Sequence, residues 1–232
     1  MTKNIAETSP LYYARIAGFF YMIIIIIGVL NGAFIDSEII VPGDNALTVT
    51  NIIANDLLFR IGIVSILILY AGVVILSWAL YLLLKEVNKN LALLAMLLRM
   101  SEAILGGATV LISFIVLLLL NVNDYSQVHA NEQLQALVGV FLNVRTAGLD
   151  IVLLFVGLGG AIFCYLFLRS MYVPKILAIW GILTYVSMIV LSFISILSPN
   201  ISETVKMAFY APGGLFELIF GLWLLFKGIK VQ

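Results

Sequence analysis

Arg99, Glu102, Arg145, Asp150 and Glu217 stand inside long apolar stretches of this chain. A charge at the centre of a bilayer costs roughly 2.5–3.5 kcal/mol, so five left unpaired would cost about 12–18 kcal/mol by simple addition. Such groups pair, line water, or do both. Three acids face two bases, and Arg60 lies at the rim as a further cation. Glu102, Asp150 and Glu217 have the chemistry of cation ligands or proton carriers, and Arg99 and Arg145 that of counter-charges. Their spacing identifies no acid–base reaction.

Helical geometry sets which of them can meet. Arg99 and Glu102 are three apart and share a face, so they can pair locally. Arg145 and Asp150 are five apart and about 140° round the helix, so they address different partners. At about 1.5 Å per residue, Arg145 and Glu217 fall roughly 12 Å below the outer boundary, with Glu102 near that level. Arg99 and Asp150 fall roughly 18–20 Å down. Two layers result, with Arg99 expected against Asp150, and Arg145 against Glu217 or Glu102. Buried ion pairs also fix register without any further role, and that reading stands beside the functional one.

The elements that carry these residues follow from composition. The chain has 232 residues, 63% hydrophobic and 10% charged. Soluble domains run about 45–50% apolar and about 25% charged. A span needs about 20 apolar residues. Six segments qualify, at 14–34, 61–84, 91–120, 137–168, 176–197 and 209–226. The fold class expected is an all-α, polytopic membrane bundle forming one domain over 1–232. The third and fourth segments exceed the bilayer and are expected to tilt or project.

Lys3, Arg15, Lys85, Lys89, Arg169, Lys175, Lys227 and Lys230 share one side, and acids dominate the other. The positive-inside rule therefore predicts both termini in the cytoplasm of a cell-membrane protein. Trp78, Tyr81, Tyr172, Trp180 and Trp223 fall near the inner boundary, where an aromatic belt belongs.

The loop after the first span holds Pro42-Gly43-Asp44, a turn followed by a helix cap. Asp44, Thr48, Asn51 and Asn55 recur at helical spacing over about 44–59. This amphipathic stretch either runs on into the second span or lies on the membrane surface.

Small residues mark the faces that pack, because lipid supplies little hydrophobic drive between helices. Gly18, Tyr21, Gly28 and Gly32 form one such stripe, and Gly106, Thr109 and Ser113 continue the Arg99–Glu102 face. Asn143, Ala147, Gly157, Ala161 and Cys164 accompany Asp150, and Gly214 and Gly221 accompany Glu217. Pro212-Gly213-Gly214 interrupts the outer part of the sixth span. It reads either as a kink or as a break that frees backbone groups beside Glu217, as in transporters.

Several chemistries lack their residues. There is no Walker loop or dinucleotide fingerprint. Cys164 is the single cysteine and His129 the single histidine, in a polar loop, so neither a thiol cluster nor a membrane haem or zinc site is expected. Asn200-Ile201-Ser202 matches a glycosylation acceptor, but Ser202 reads equally as a helix cap. No cofactor or metal is expected, and with a net charge of 0 there is no basic footprint for nucleic acid. Oligomeric state is not readable.

A larger pattern joins these pieces. Ala14-Arg15-Ile16-Ala17-Gly18 opens the first span, and Asn55-Asp56-Leu57-Leu58-Phe59-Arg60-Ile61-Gly62 leads into the second. Leu98-Arg99-Met100-Ser101-Glu102-Ala103, Gly148-Leu149-Asp150, Ser170-Met171-Tyr172-Val173-Pro174-Lys175 and Leu222-Trp223-Leu224-Leu225-Phe226-Lys227-Gly228 follow in order. This order resembles the prokaryotic membrane family of domain of unknown function 4386 over nearly the whole chain. The resemblance implies a multi-span protein and carries over no catalytic residue. Three readings stay open: a site that binds or moves a small solute, ion or proton; a non-catalytic membrane subunit or sensor; and an enzyme acting on a lipid or isoprenoid.

Overall fold

The computed structural model describes residues 9–121, 132–198 and 201–230. Asp124, His129 and Asn200 lie outside them. Among the described residues there is no strand. Six helices are long and apolar enough to cross a membrane, and the protein is a multi-pass membrane protein.

Local chemistry sets the helix ends. α1 (Pro10–Asn31) begins with proline in its first turn, and Ser9 Oγ accepts the Leu11 N–H. It runs through a π-helical turn (Gly32–Asp36) into the short α2 (Ser37–Ile39). The Pro42-Gly43 turn follows, with Gly43 at φ +81°, and Asp44 caps α3 (Asn45–Ala54) by accepting the Leu47 N–H at 2.8 Å. α4 (Asp56–Leu84) and α5 (Lys89–Asn121) are joined by a short turn in which Asn88 Oδ1 accepts the Leu91 N–H. α6 (Glu132–Ser170) ends at Met171, φ 60°, and Pro174 precedes α7 (Lys175–Leu197). α8 (Glu203–Leu222) continues as a π-helical turn (Trp223–Lys227) that Gly228, φ 69°, terminates.

The six long helices close a ring. α1 packs on α4, α4 on α5, α5 on α6, α6 on α7, α7 on α8, and α8 back on α1. The N–H of Lys230 donates to the Tyr172 carbonyl at 3.0 Å. A Cβ on Gly228 would strike Leu11. Leu11 and Lys230 therefore lie at one end of the bundle, here the terminal end; the other is the far end.

Two apolar cores fill the ring. One is aromatic and lies toward the terminal end, with Phe163, Phe167, Phe216 and Phe220 buried at its centre. The second gathers Ile39, Ile52, Phe59, Val116, Leu117 and Val138 at the far end.

One expectation about continuity changes, and one alternative is removed. α3 and α4 are separate helices, broken at Asn55 (φ −120°, ψ 40°). α3 buries Thr48, Val49 and Ile52 and packs on α6, so its apolar side faces protein. Asn51 Nδ2 donates to the Glu38 and Ile39 carbonyls, and Thr48 Oγ1 bonds the Val41 backbone, so the polar stripe ties down the preceding loop. The Pro212-Gly213-Gly214 run lies inside a continuous α8, which excludes the broken-helix alternative. The proline ring is exposed, and its missing N–H costs one rung without opening the turn.

Candidate functional site

Four helices bring polar groups together at the edge of the aromatic core, of which Tyr21 and Tyr185 are themselves part. Arg99 is about 15 Å and Glu102 about 20 Å from the start of α5 at Lys89. Tyr21 and Tyr185 lie about 15 Å from the terminal ends of α1 and α7 by the same rise, and Glu217 about 15 Å from Lys227, where the π-helical turn after α8 ends. Arg99 Nη1 is 2.9 Å from Glu102 Oε2, and the two residues are 3% and 5% exposed. That contact is close but off-line: neither atom makes an aligned hydrogen bond among the described residues. The pair therefore balances charge while leaving hydrogen-bonding capacity unused in a dry setting.

Beside it runs a line of oxygens. Tyr185 O–H donates to Glu217 Oε1 at 2.9 Å, and the Tyr21 and Tyr185 hydroxyls are 3.4 Å apart. Tyr185 has one proton and gives it to the carboxylate, so Tyr21 is the donor to Tyr185. Arg99 is within electrostatic reach of Tyr21, Tyr185 and Glu217. Glycines make the room. A Cβ on Gly159 would meet the Arg99 side chain, and one on Gly160 would enter the Tyr185 ring. The Gly159-Gly160 doublet of α6 is thus a seat for two large polar side chains.

A second polar region lies toward the far end. Arg145 Nη2 donates to Asp36 Oδ2 at 2.7 Å, joining α6 to the end of the first span. The pair borders a cleft of about 150 Å³ between α1, α4, α5 and α6. Asn31, Tyr70, Thr109 and Ser113 supply its other polar groups. Asn31 is buried, and its Nδ2 donates to the Gly62 carbonyl and to Ser65 Oγ. Tyr70 connects the two regions. Its ring lies where a Cβ on Gly106 would be, Thr109 lines the same cleft, and the hydroxyl is in electrostatic reach of both Arg145 and Glu102.

The residues singled out from sequence therefore distribute differently from the two expected layers. Arg99, Glu102 and Glu217 come together; of the pairings expected, Arg99 takes the local one with Glu102 rather than Asp150. Arg145 meets neither Glu217 nor Glu102. The reason is length. α6 has 39 residues and runs well past the bilayer thickness, so depth counted from its apolar edge puts Arg145 too deep. Its partner Asp36 is about 40 Å along the helix from Pro10, at or beyond the far rim. Asp150 is half-buried; its carbonyl accepts the Ser192 hydroxyl at 2.6 Å, and its carboxylate has no partner among the described residues.

Arg60 pairs with Asp56 one turn away at 2.7 Å, both about half exposed, and stands outside the cluster. Asn143 is exposed, and Asn55 donates to the Asn51 carbonyl at the helix break. Gly213 packs against Met188, while Pro212 and Gly214 are exposed. Sequence reasoning passed over Tyr185, Tyr70, Asn31 and Asp36.

The family model described as Domain of unknown function (DUF4386) matches residues 16–228 of the chain. No curated protein and no solved structure matches it.

Proposed function

The chain belongs to the family Domain of unknown function (DUF4386), and for this member we propose that the mid-depth layer takes up a proton or small cation, reached from the far-end cleft. One observation carries the reading. Two carboxylates, Glu102 and Glu217, share that layer with one arginine, Arg99. One negative charge is thus without a counter-charge in a low-dielectric setting, where it is expensive. A proton or a small cation supplies what is missing.

Glu217 is the group that takes it, because Glu102 already has the guanidinium and Glu217 has only the Tyr185 hydroxyl. The Tyr21–Tyr185–Glu217 line gives a proton a chain of exchangeable hydroxyls. Tyr70, between Glu102 and the cleft, stands where access from the far end is controlled. The lysine and arginine bias puts the termini in the cytoplasm and the cleft outside.

The test is flux in liposomes holding the purified full-length chain. Under an imposed gradient, wild-type vesicles pass protons, sodium or potassium faster than empty ones. Glu217→Gln, which keeps an acceptor for Tyr185, falls to the empty-vesicle rate with helix content unchanged. Wild-type flux equal to that of empty vesicles for all three ions would overturn the reading.

A second reading is favoured by the locality of the Arg99–Glu102 pair, which is complete within one helix turn: a non-catalytic membrane subunit or sensor whose ion pairs are structural. The swap Arg99→Glu with Glu102→Arg keeps that pair. A wild-type melting temperature for the swap, with no ion flux above empty vesicles in either protein, supports this second reading.

A further inference from the structure

The far-end cleft lies across Tyr70 from the mid-depth layer and has a charge balance of its own, whatever that layer carries. The cleft's charges sum to zero: one guanidinium, Arg145, and one carboxylate, Asp36. Both have bonding capacity to spare. Arg145 has five N–H donors and, among the described residues, a single partner at Nη2; Asp36 uses Oδ2 alone.

Two further groups in the lining are buried and underused. Ser113 is 5% exposed, and its hydroxyl has no partner among the described residues. Asn31 is 4% exposed; its amide nitrogen donates twice, and its carbonyl oxygen has no partner among the described residues. The walls between these groups are apolar, built from Ile35, Phe59, Ile63, Ile66 and Val110 among others. An enclosed cavity near 150 Å³ holds a molecule of six carbons; this cleft is open beside Asp36, so a ligand of eight or nine heavy atoms seats its aliphatic body there without being enclosed whole.

These features select one ligand class. A lone anion on Arg145 would leave Asp36 without its counter-charge, and a lone cation on Asp36 would do the same to Arg145; each weakens a partly buried pair. A molecule with both charges leaves the sum unchanged. Its anionic group takes free N–H donors of Arg145, its ammonium group faces the Asp36 carboxylate with Asn31 and Ser113 oxygens as further acceptors, and a short branched body meets the apolar walls. We propose that the far-end cleft binds a small zwitterion with an aliphatic body, of the kind and size of free valine or leucine. An ethanolamine phospholipid head group carries the same pair of charges, so the source needs its own arm in the test.

The experiment measures equilibrium binding of radiolabelled L-valine to the full-length chain in phosphatidylcholine nanodiscs. Isovalerate (no ammonium) and isobutylamine (no carboxylate) serve as competitors. Saturable binding that neither competitor displaces at the same concentration supports the proposal. Arg145→Gln and Asp36→Asn each weaken it by about 10–100-fold, the loss expected for a charge-assisted hydrogen bond.

Should either of those variants fail to fold, Val110→Phe fills the cleft with the ion pair intact, and it abolishes binding while the protein elutes as wild type. Competition by isovalerate equal to that by leucine would make the cleft an anion site and overturn the proposal. Displacement of valine in phosphatidylethanolamine nanodiscs, or no valine binding to folded protein, overturns it as well.

Discussion

Two arginines divide the membrane bundle. Arg145 reaches an acid 109 positions away, makes an aligned 2.7 Å hydrogen bond and keeps some solvent contact, with side chains 15% and 35% exposed. Arg99 takes an acid three positions away on its own helix, at 2.9 Å and off-line, with both side chains almost wholly buried. The first pair joins α6 to the end of the first span and so contributes to tertiary structure. The second joins no two helices, so tethering does not explain why it is buried. The better-made bond lies at the cheaper site and the poorer bond at the costlier one. That inversion separates a contact that ties two helices together from one that does not.

The sharpest way to break the contrast is to remove Arg99. Arg99→Leu strands Glu102 and Glu217 without a cation, and the loss is expected at about 3–5 kcal/mol. Adding Glu102→Leu removes a stranded charge, and the double variant recovers much of that stability while losing the proposed flux. Unfolding free energies in bicelles measure both. A single variant as stable as wild type would show that the layer does not depend on this cation.

Space rather than charge gives the next effect. Gly160→Ala drives a methyl group into the Tyr185 ring, whose neighbours leave it nowhere to go, and costs about 1–3 kcal/mol. The same change at Gly32, beside the far-end cleft, meets no atom within 4 Å. There it stabilises by up to about 1 kcal/mol through helix propensity. Thermal melts of the two variants set a tight region against an open one.

The far-end pair is expected to be modest. A double-mutant cycle over Arg145→Ala and Asp36→Ala should return a coupling of about 0.5–1 kcal/mol that shrinks as salt is raised. A salt-independent coupling several times larger would erase the distinction between the two arginines.

Much of this frame was legible in the sequence. The spans follow from apolar runs longer than the bilayer is thick, and the Asp44 cap and Pro42-Gly43 turn follow from local backbone chemistry. The Arg99–Glu102 contact was visible as a helical spacing of three. The partner of Arg145 was not, because reading depth from hydropathy assumes that each helix ends where its apolar run ends, and α6 does not. Tyr70, Tyr185 and Asn31 stayed hidden because one amphipathic or polar residue barely alters a window of apolar neighbours. Their signal lies in the opposing helices: Gly106 and the Gly159-Gly160 doublet are holes of the shape these side chains fill. Asp150 shows the converse, a conspicuous charge for which the described residues supply no partner.

Arg60 provides the reference point for both arginine pairs. It contacts Asp56 at 2.7 Å, as short as the Arg145 bond, yet it lies one turn away on the same helix, with side chains 45% and 43% exposed. Solvent screens the attraction, and no second element is joined. Arg60→Ala should therefore cost no more than about 0.3–0.5 kcal/mol and leave flux and zwitterion binding at wild-type levels. If distance alone ranked these contacts, Arg60 and Arg145 would weigh the same and Arg99 least. If burial and connectivity rank them, the order is Arg99, Arg145, Arg60, and one set of melts on the three alanine variants decides between the two orders.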